Sequence, residues 1–235
     1  MLKKLKILEN FSRSKLPELI KNNDNLVGIE LGVAKGAYSK KMIETNKFSF
    51  FFGVDKYSDH HNTNEYLEAI NNVGIFSNYK LIRCTFDEAL ELFKDDFFDF
   101  IYIDGYAHNG QLGGDTIVKW YSKLKVNGII CGDDYDDKFP LVKQAVNYLA
   151  DKYNLEILLT DVNAEEDGHN FSSWAHICKK KISLSVEEKM IKKSKVYDFY
   201  FRNKIKIKKF YEKIFIILRN LKKKLLTNYN IKNEK

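Results

Sequence analysis

Along most of the chain, apolar runs bounded by turn residues alternate with segments of helical period, and this alternation predicts a parallel α/β sheet with helices on both faces. Strands are expected near Leu26–Leu31, Ser49–Asp55, Lys80–Arg83, Phe98–Asp104, Gly128–Asp133, Leu155–Thr160 and Trp174–Lys179. Helices are expected at Gly36–Glu44, Asn64–Asn72, Asp87–Phe93, Asp115–Leu124 and Pro140–Lys152, the last opened by a proline suited to a first helical turn. An amphipathic segment around Lys3–Lys21 precedes the sheet. The two final strands, separated by the polar loop Asp161–Ser173, read as an antiparallel edge hairpin.

In an open parallel sheet, ligands bind outside the carboxyl ends of the strands. The stretch FDFIYIDGYAHNGQLGGDTIVKWYSKLKVNGIICGDDY places Asp104 after one buried strand and Asp133 and Asp134 after the next, so the three should face one crevice. Carboxylates that close repel one another unless a cation lies among them, and an all-oxygen set suits a hard divalent ion, Mg2+ best.

VGIELGVAKGAYSKK reads as strand, loop and helix, with Gly32 and Gly36 letting the backbone approach a ligand. A tight strand-to-helix turn without a ligand would look the same. GVAKG lacks the G-x-G-x-x-G spacing of a dinucleotide loop, and Glu30 at the strand end would repel a pyrophosphate while favouring a cationic amino group. S-adenosylmethionine (SAM) carries such an amino group and a sulfonium. Asp55 ends the next strand about 20 residues on, where an acid usually accepts bonds from ribose hydroxyls, although it could also cap a loop.

Composition separates a body from a tail. The 235 residues are 44% hydrophobic, enough for one sizeable core. Residues 179–235 hold 19 Lys/Arg against 5 Asp/Glu, which leaves residues 1–178 at net −7 within an overall +7. An acidic body matches a nucleic-acid backbone poorly, so no nucleic-acid partner is expected. Domains are expected at 1–180 and 181–235. Cys84, Cys131 and Cys178 lack paired spacing and suit a reducing compartment. MLKKLKILENF has no continuous apolar run and no later run is long enough to span a bilayer, so a cytoplasmic protein is expected. In the tail Phe210, Ile214, Ile217, Leu218, Leu221 and Leu225 recur at helical spacing among Lys208, Lys209, Lys213, Arg219 and Lys222–Lys224. Such a helix either lies on an anionic membrane, at the inner face, or packs on the domain or a second subunit.

ELGVAKGAYS, GVDKY and KLKVNGIICGDDY together resemble the motifs of the class I SAM-dependent methyltransferases, with Ala34 in place of a frequent middle glycine. The resemblance covers roughly residues 10–180. It implies a Rossmann-like, seven-stranded sheet in the order 3-2-1-4-5-7-6, strand seven antiparallel, and it maps adenine contacts onto Cys84, Thr85 and Phe86. IDGYAH and GDDY are similar to metal-dependent O-methyltransferases of the catechol, caffeoyl-CoA and macrocin types, which implies Asp104, Asp133 and Asp134 as metal ligands. The expected cofactors are therefore SAM, held by Glu30, Gly32, Gly36, Asp55, Thr85 and Phe86, and a divalent metal.

Methyl transfer to a hydroxyl needs alignment and a more acidic acceptor. His108, in the loop after Asp104, is the candidate base, because neutral imidazole accepts protons near physiological pH. A loop histidine also serves as a hydrogen-bonding anchor. His60 and His61 are candidates for acceptor contact, whereas His169 and His176 read as structural. The expected acceptor is a sugar or other polyhydroxylated small molecule, as in surface-polysaccharide or natural-product assembly. The rivals are an N- or nucleic-acid methyltransferase, which the missing N/D-P-P-Y/F motif disfavours, and a non-catalytic membrane-associated scaffold.

Overall fold

The computed structural model describes residues 5–22, 24–58, 61–104, 110–165, 169–197, 199–200, 203, 207, 211, 214–215 and 219. They fall into two compact units, Met1–Ser194 and Lys195–Lys235.

The first unit contains strands β1 (Leu5–Ile7), β2 (Leu26–Leu31), β3 (Phe48–Val54), β4 (Tyr79–Ile82), β5 (Phe98–Ile103), β6 (Leu124–Gly132), β7 (Ile157–Leu159) and β8 (Trp174–Ile177). Between them run α1 (Ala37–Glu44), α2 (Thr63–Val73), α3 (Phe86–Leu90), α4 (Gly110–Tyr121) and α5 (Pro140–Tyr153). The strands form one sheet in the order β4-β3-β2-β5-β6-β8-β7-β1, in which only β8 runs antiparallel to its neighbours. The predicted order of seven is therefore present, with an eighth strand added.

That eighth strand corrects the amphipathic reading of Lys3–Lys21. Leu5–Ile7 pairs in parallel with Ile157–Leu159, and a 3-10 segment, Arg13–Leu19, follows it. Consequently β7 is not an edge strand, because β1 covers its outer side. The 3-10 form suits a segment interrupted by Pro17, which has no N–H to donate.

Helix starts are set locally. Asn62 and Glu65 form a capping box at α2, Thr85 and Glu88 form another at α3, and Pro140 occupies the first turn of α5. Successive side chains of a strand point to opposite faces, so Ile101 and Ile103 join one apolar cluster while Phe100 and Tyr102 join the other. Trp120, Phe98, Phe100 and Phe51 are fully buried, each worth roughly 2–3 kcal/mol in area removed from water.

Residues beyond β8 also belong to this unit. Ile182 and Leu184 pack against the core, Tyr153 Oη accepts from the Ser185 N–H at 2.7 Å, and Met190 and Ser194 are buried. A truncation that preserves the core therefore ends after Ser194, not after Lys181.

Candidate active site

The carboxyl ends of the central strands form one aligned row. Registers pair Leu31 with both Val54 and Ile103, and Ile103 with Gly132. The next residue of each strand continues the ladder: Gly32 N donates to Val54 O, Asp104 N to Leu31 O at 2.8 Å, and Asp133 N to Ile103 O at 3.2 Å. Gly32, Asp55, Asp104 and Asp133 thus stand side by side along the edge where an open sheet binds its ligands.

On one side of the row is a tight loop. Gly32 and Gly36 have φ of 100° and 82°, and Ala34 is also left-handed at 47°, a conformation that costs a Cβ-bearing residue energy. That strain explains why glycine would be easier at Ala34. Asp55 holds the loop: its Oδ2 accepts from the N–H groups of Val33 and Ala34, both at 3.0 Å, and its Oδ1 accepts from Tyr57 N. His61 Nδ1 lies 2.7 Å from the same Oδ2. Burial works against the charge of Asp55, but the His61 contact and the backbone donors hold its carboxyl below the usual carboxylate range. His61, expected on the acceptor, is therefore placed against Asp55.

Of the two roles weighed for Asp55 from the sequence, the loop cap is the one these contacts form. Asp55→Ala is expected to lower the melting temperature of the ligand-free protein by several degrees, as two loop N–H groups lose their acceptor at roughly 1–3 kcal/mol each. Differential scanning calorimetry checks this, and an unchanged transition would contradict it.

Glu30 is buried beneath the loop and accepts from Ser39 Oγ, which also contacts Tyr79 Oη at 3.0 Å. Burial pushes its carboxyl up to about 8. A ligand ammonium would lower it again by supplying the missing positive charge. Of the adenine-contact candidates, Thr85 is occupied as the N-cap of α3, Phe86 packs into the core and Cys84 is half-buried. His60 and His108 lie outside the described residues.

On the other side stand the three aspartates. Asp104 is partly buried and its carboxyl is pushed well above the usual range by burial, then by Asp133, Glu30 and Asp134. Burial and Asp133 push Asp134 up to about 7, and its φ of 60° turns the chain sharply after β6. Asp133 is different, because its carboxylate already has partners within the protein. Arg13 Nη1 donates to its Oδ2 at 2.8 Å, while Ser173 Oγ donates to Oδ1 at 3.0 Å and His169 Nε2 lies 2.6 Å from that oxygen.

Arg13 lies over the ring of Tyr38, 5.3 Å from guanidinium carbon to centroid, and Tyr38 stacks on Tyr102. Burial opposes its charge, but Tyr102, Asp133 and Asp104 keep it firmly protonated. Its Nε is buried without a hydrogen-bond partner. Sequence reasoning missed Arg13 and took His169 as structural; His176 does have a structural partner, the Glu156 carbonyl at 3.0 Å.

Asp104 and Asp134 are oxygen donors of raised proton affinity, chemically suited to a hard cation. Among the described residues no three His, Cys, Asp or Glu side chains are grouped as a metal site in this arrangement.

Residues 29–135 match a family model described as a methyltransferase domain. The core is similar to such a domain over that span. Its fold is that of the class I SAM-dependent methyltransferases, and solved structures share it at low identity. Precorrin-6y C5,15-methyltransferase from Geobacter metallireducens GS-15 is 19% identical, with 70% of this chain and 85% of that chain covered at a TM-score of 0.51. An O-methyltransferase from Bacillus cereus in complex with SAH is 15% identical over 70% and 79%, also at 0.51. Spermidine synthase from Thermotoga maritima is 13% identical over 79% and 69% at 0.52, so the fold alone does not specify what is transferred. No curated protein sequence matches the chain.

Proposed function

We propose that the methyltransferase domain is a SAM-dependent O-methyltransferase acting on a hydroxyl of a sugar or another polyhydroxylated small molecule, with a divalent cation. The observation that carries this reading is the adjacency of Asp104 to the glycine loop. Asp104 N bonds to Leu31 O, so an acid suited to the acceptor stands one strand from the loop suited to SAM.

Glu30 then faces the amino-acid end of SAM and Asp55 the ribose. The acceptor oxygen forms a bond to the methyl carbon as the carbon–sulfur bond breaks, leaving a neutral thioether, and the hydroxyl proton passes to a base. His108 is the candidate for that proton, and Asp104, whose proton affinity is raised by burial and the neighbouring carboxylates, is the second. Asp104 and Asp134 would hold the cation, with Asp133 joining them only on giving up its contacts with Arg13 and His169, and when bound it lowers the pKa of a coordinated hydroxyl. The sugar assignment rests on the resemblance of IDGYAH and GDDY to macrocin-type enzymes, and surface-polysaccharide or natural-product assembly is the setting proposed with it.

The test is turnover of SAM by the purified full-length protein against nucleotide sugars, glycan fragments and catechols. Excess chelator is expected to abolish transfer, and Mg2+ or Mn2+ to restore it. Full activity in chelator would move activation of the hydroxyl to Asp104 and His108 alone.

A further inference from the structure

The second unit presents apolar side chains to solvent. Val196, Phe199, Tyr200, Ile207 and Phe215 are all more than half exposed, from 57% at Ile207 to 71% at Phe199. The described residues around them are helical. At 100° per residue, Val196, Phe199, Tyr200, Ile207 and Ile214 fall within an arc of about 100°, and Phe215 lies about 60° beyond its edge. By sequence spacing, Phe210, Leu218, Leu221 and Leu225 extend the same arc. By the same spacing the opposite arc holds Lys195, Arg202, Lys208, Lys209, Lys213 and Arg219, together with Asp198, Glu212, Phe201, Ile205 and Ile216.

Charge decides what covers this face. Residues 195–235 carry 13 Lys/Arg against 3 Asp/Glu, so seating a second copy on the face would bring two strongly positive units together. An anionic surface offers the opposite charge. Among the described residues no helix is long and apolar enough to cross a membrane, which leaves lying in the interface as the mode of contact.

We infer that the exposed apolar face of residues 195–219 docks on an anionic lipid bilayer, with its aromatic and aliphatic side chains at the acyl boundary and its lysines and arginines against the headgroups. The inference is independent of the reaction assigned to the first unit. A cytoplasmic leaflet rich in acidic lipid has the required chemistry, and each basic residue near it adds about fivefold to the binding constant.

Cosedimentation of the full-length protein with vesicles tests it. Wild type is expected to sediment with vesicles of phosphatidylcholine and phosphatidylserine at low salt, to be released as salt rises, and to ignore vesicles of phosphatidylcholine alone. The full-length triple variant Phe199→Ser/Ile207→Ser/Phe215→Ser should bind at least tenfold more weakly while keeping the same circular dichroism and S-adenosylhomocysteine affinity. Absence of wild-type binding to anionic vesicles at low salt, or equal binding by the triple variant, would overturn the inference. A wild-type dimer that becomes a monomer in the triple variant, with no vesicle binding by either, would assign the face to a second copy instead.

Discussion

Asp104→Asn is expected to reduce methyl transfer on the order of a thousandfold, yet to stabilise the ligand-free protein. The two effects share one cause. Asp104 stands among Asp133, Glu30 and Asp134, so its ionised form is useful to an acceptor or a cation and costly without one. Its folded pKa lies above the ordinary carboxylate value, so the folded state binds more protons than the unfolded state between the two, and stability falls as pH rises through that window. Asn has no proton to lose. The variant's advantage in melting temperature should therefore be small near pH 5 and larger near pH 8, as the linkage relation requires. Glu30, held at about 8, and Asp134, at about 7, act in the same direction, so Glu30→Gln should show the same trend. Thermal melts of wild type and both variants across that range check the sign. An Asp104→Asn advantage that is flat or shrinking with pH would contradict the electrostatic account, and retained turnover would remove Asp104 from the reaction.

Arg13→Met should destabilise the ligand-free protein by roughly 3–5 kcal/mol, because it leaves the buried Asp133 carboxylate without its cationic partner. For a domain of this size that is about 2–4 °C of melting temperature per kcal/mol. Arg13 is largely buried and Asp133 almost wholly so, so solvent screening takes away little of the effect. The double variant Arg13→Met/Asp133→Asn should recover much of the loss, since no unpaired charge then remains. A double variant that melts as far below Arg13→Met as Asp133→Asn melts below wild type would show that the two residues are not coupled.

Those two residues also mark where the sequence was legible and where it was not. The parallel sheet follows from buried strands alternating with helices, its order was implied by the family resemblance, and the acidic ends of β2, β3, β5 and β6 are visible as Glu30, Asp55, Asp104 and Asp133 because strands end where polar residues begin. β1 was not visible. Leu5–Ile7 read only as part of an amphipathic segment, and the partner that makes them a strand lies about 150 residues away, at Ile157–Leu159.

Arg13 was hidden for the same reason. Its position depends on β1 pairing beside β7, after which Asn10 N bonds Asp161 Oδ2 and Arg13 N bonds Glu165 Oε1. His169 had a usable signal. The predicted order sets β8 antiparallel beside β6, and the observed register pairs Gly132 with Trp174, so the loop before β8 must end beside Asp133. A polar loop delivered to a buried carboxylate is a natural source of its partners, and His169 and Ser173 both come from it.

The reading of the crevice rests on SAM or its product occupying the row formed by Gly32, Asp55 and Asp104. Isothermal titration calorimetry of the full-length protein with S-adenosylhomocysteine tests that most directly. Saturable one-to-one binding is predicted, weakened at least tenfold in Asp55→Asn while the variant remains folded. No heat of binding with either SAM or S-adenosylhomocysteine, or equal affinity in Asp55→Asn, would contradict it.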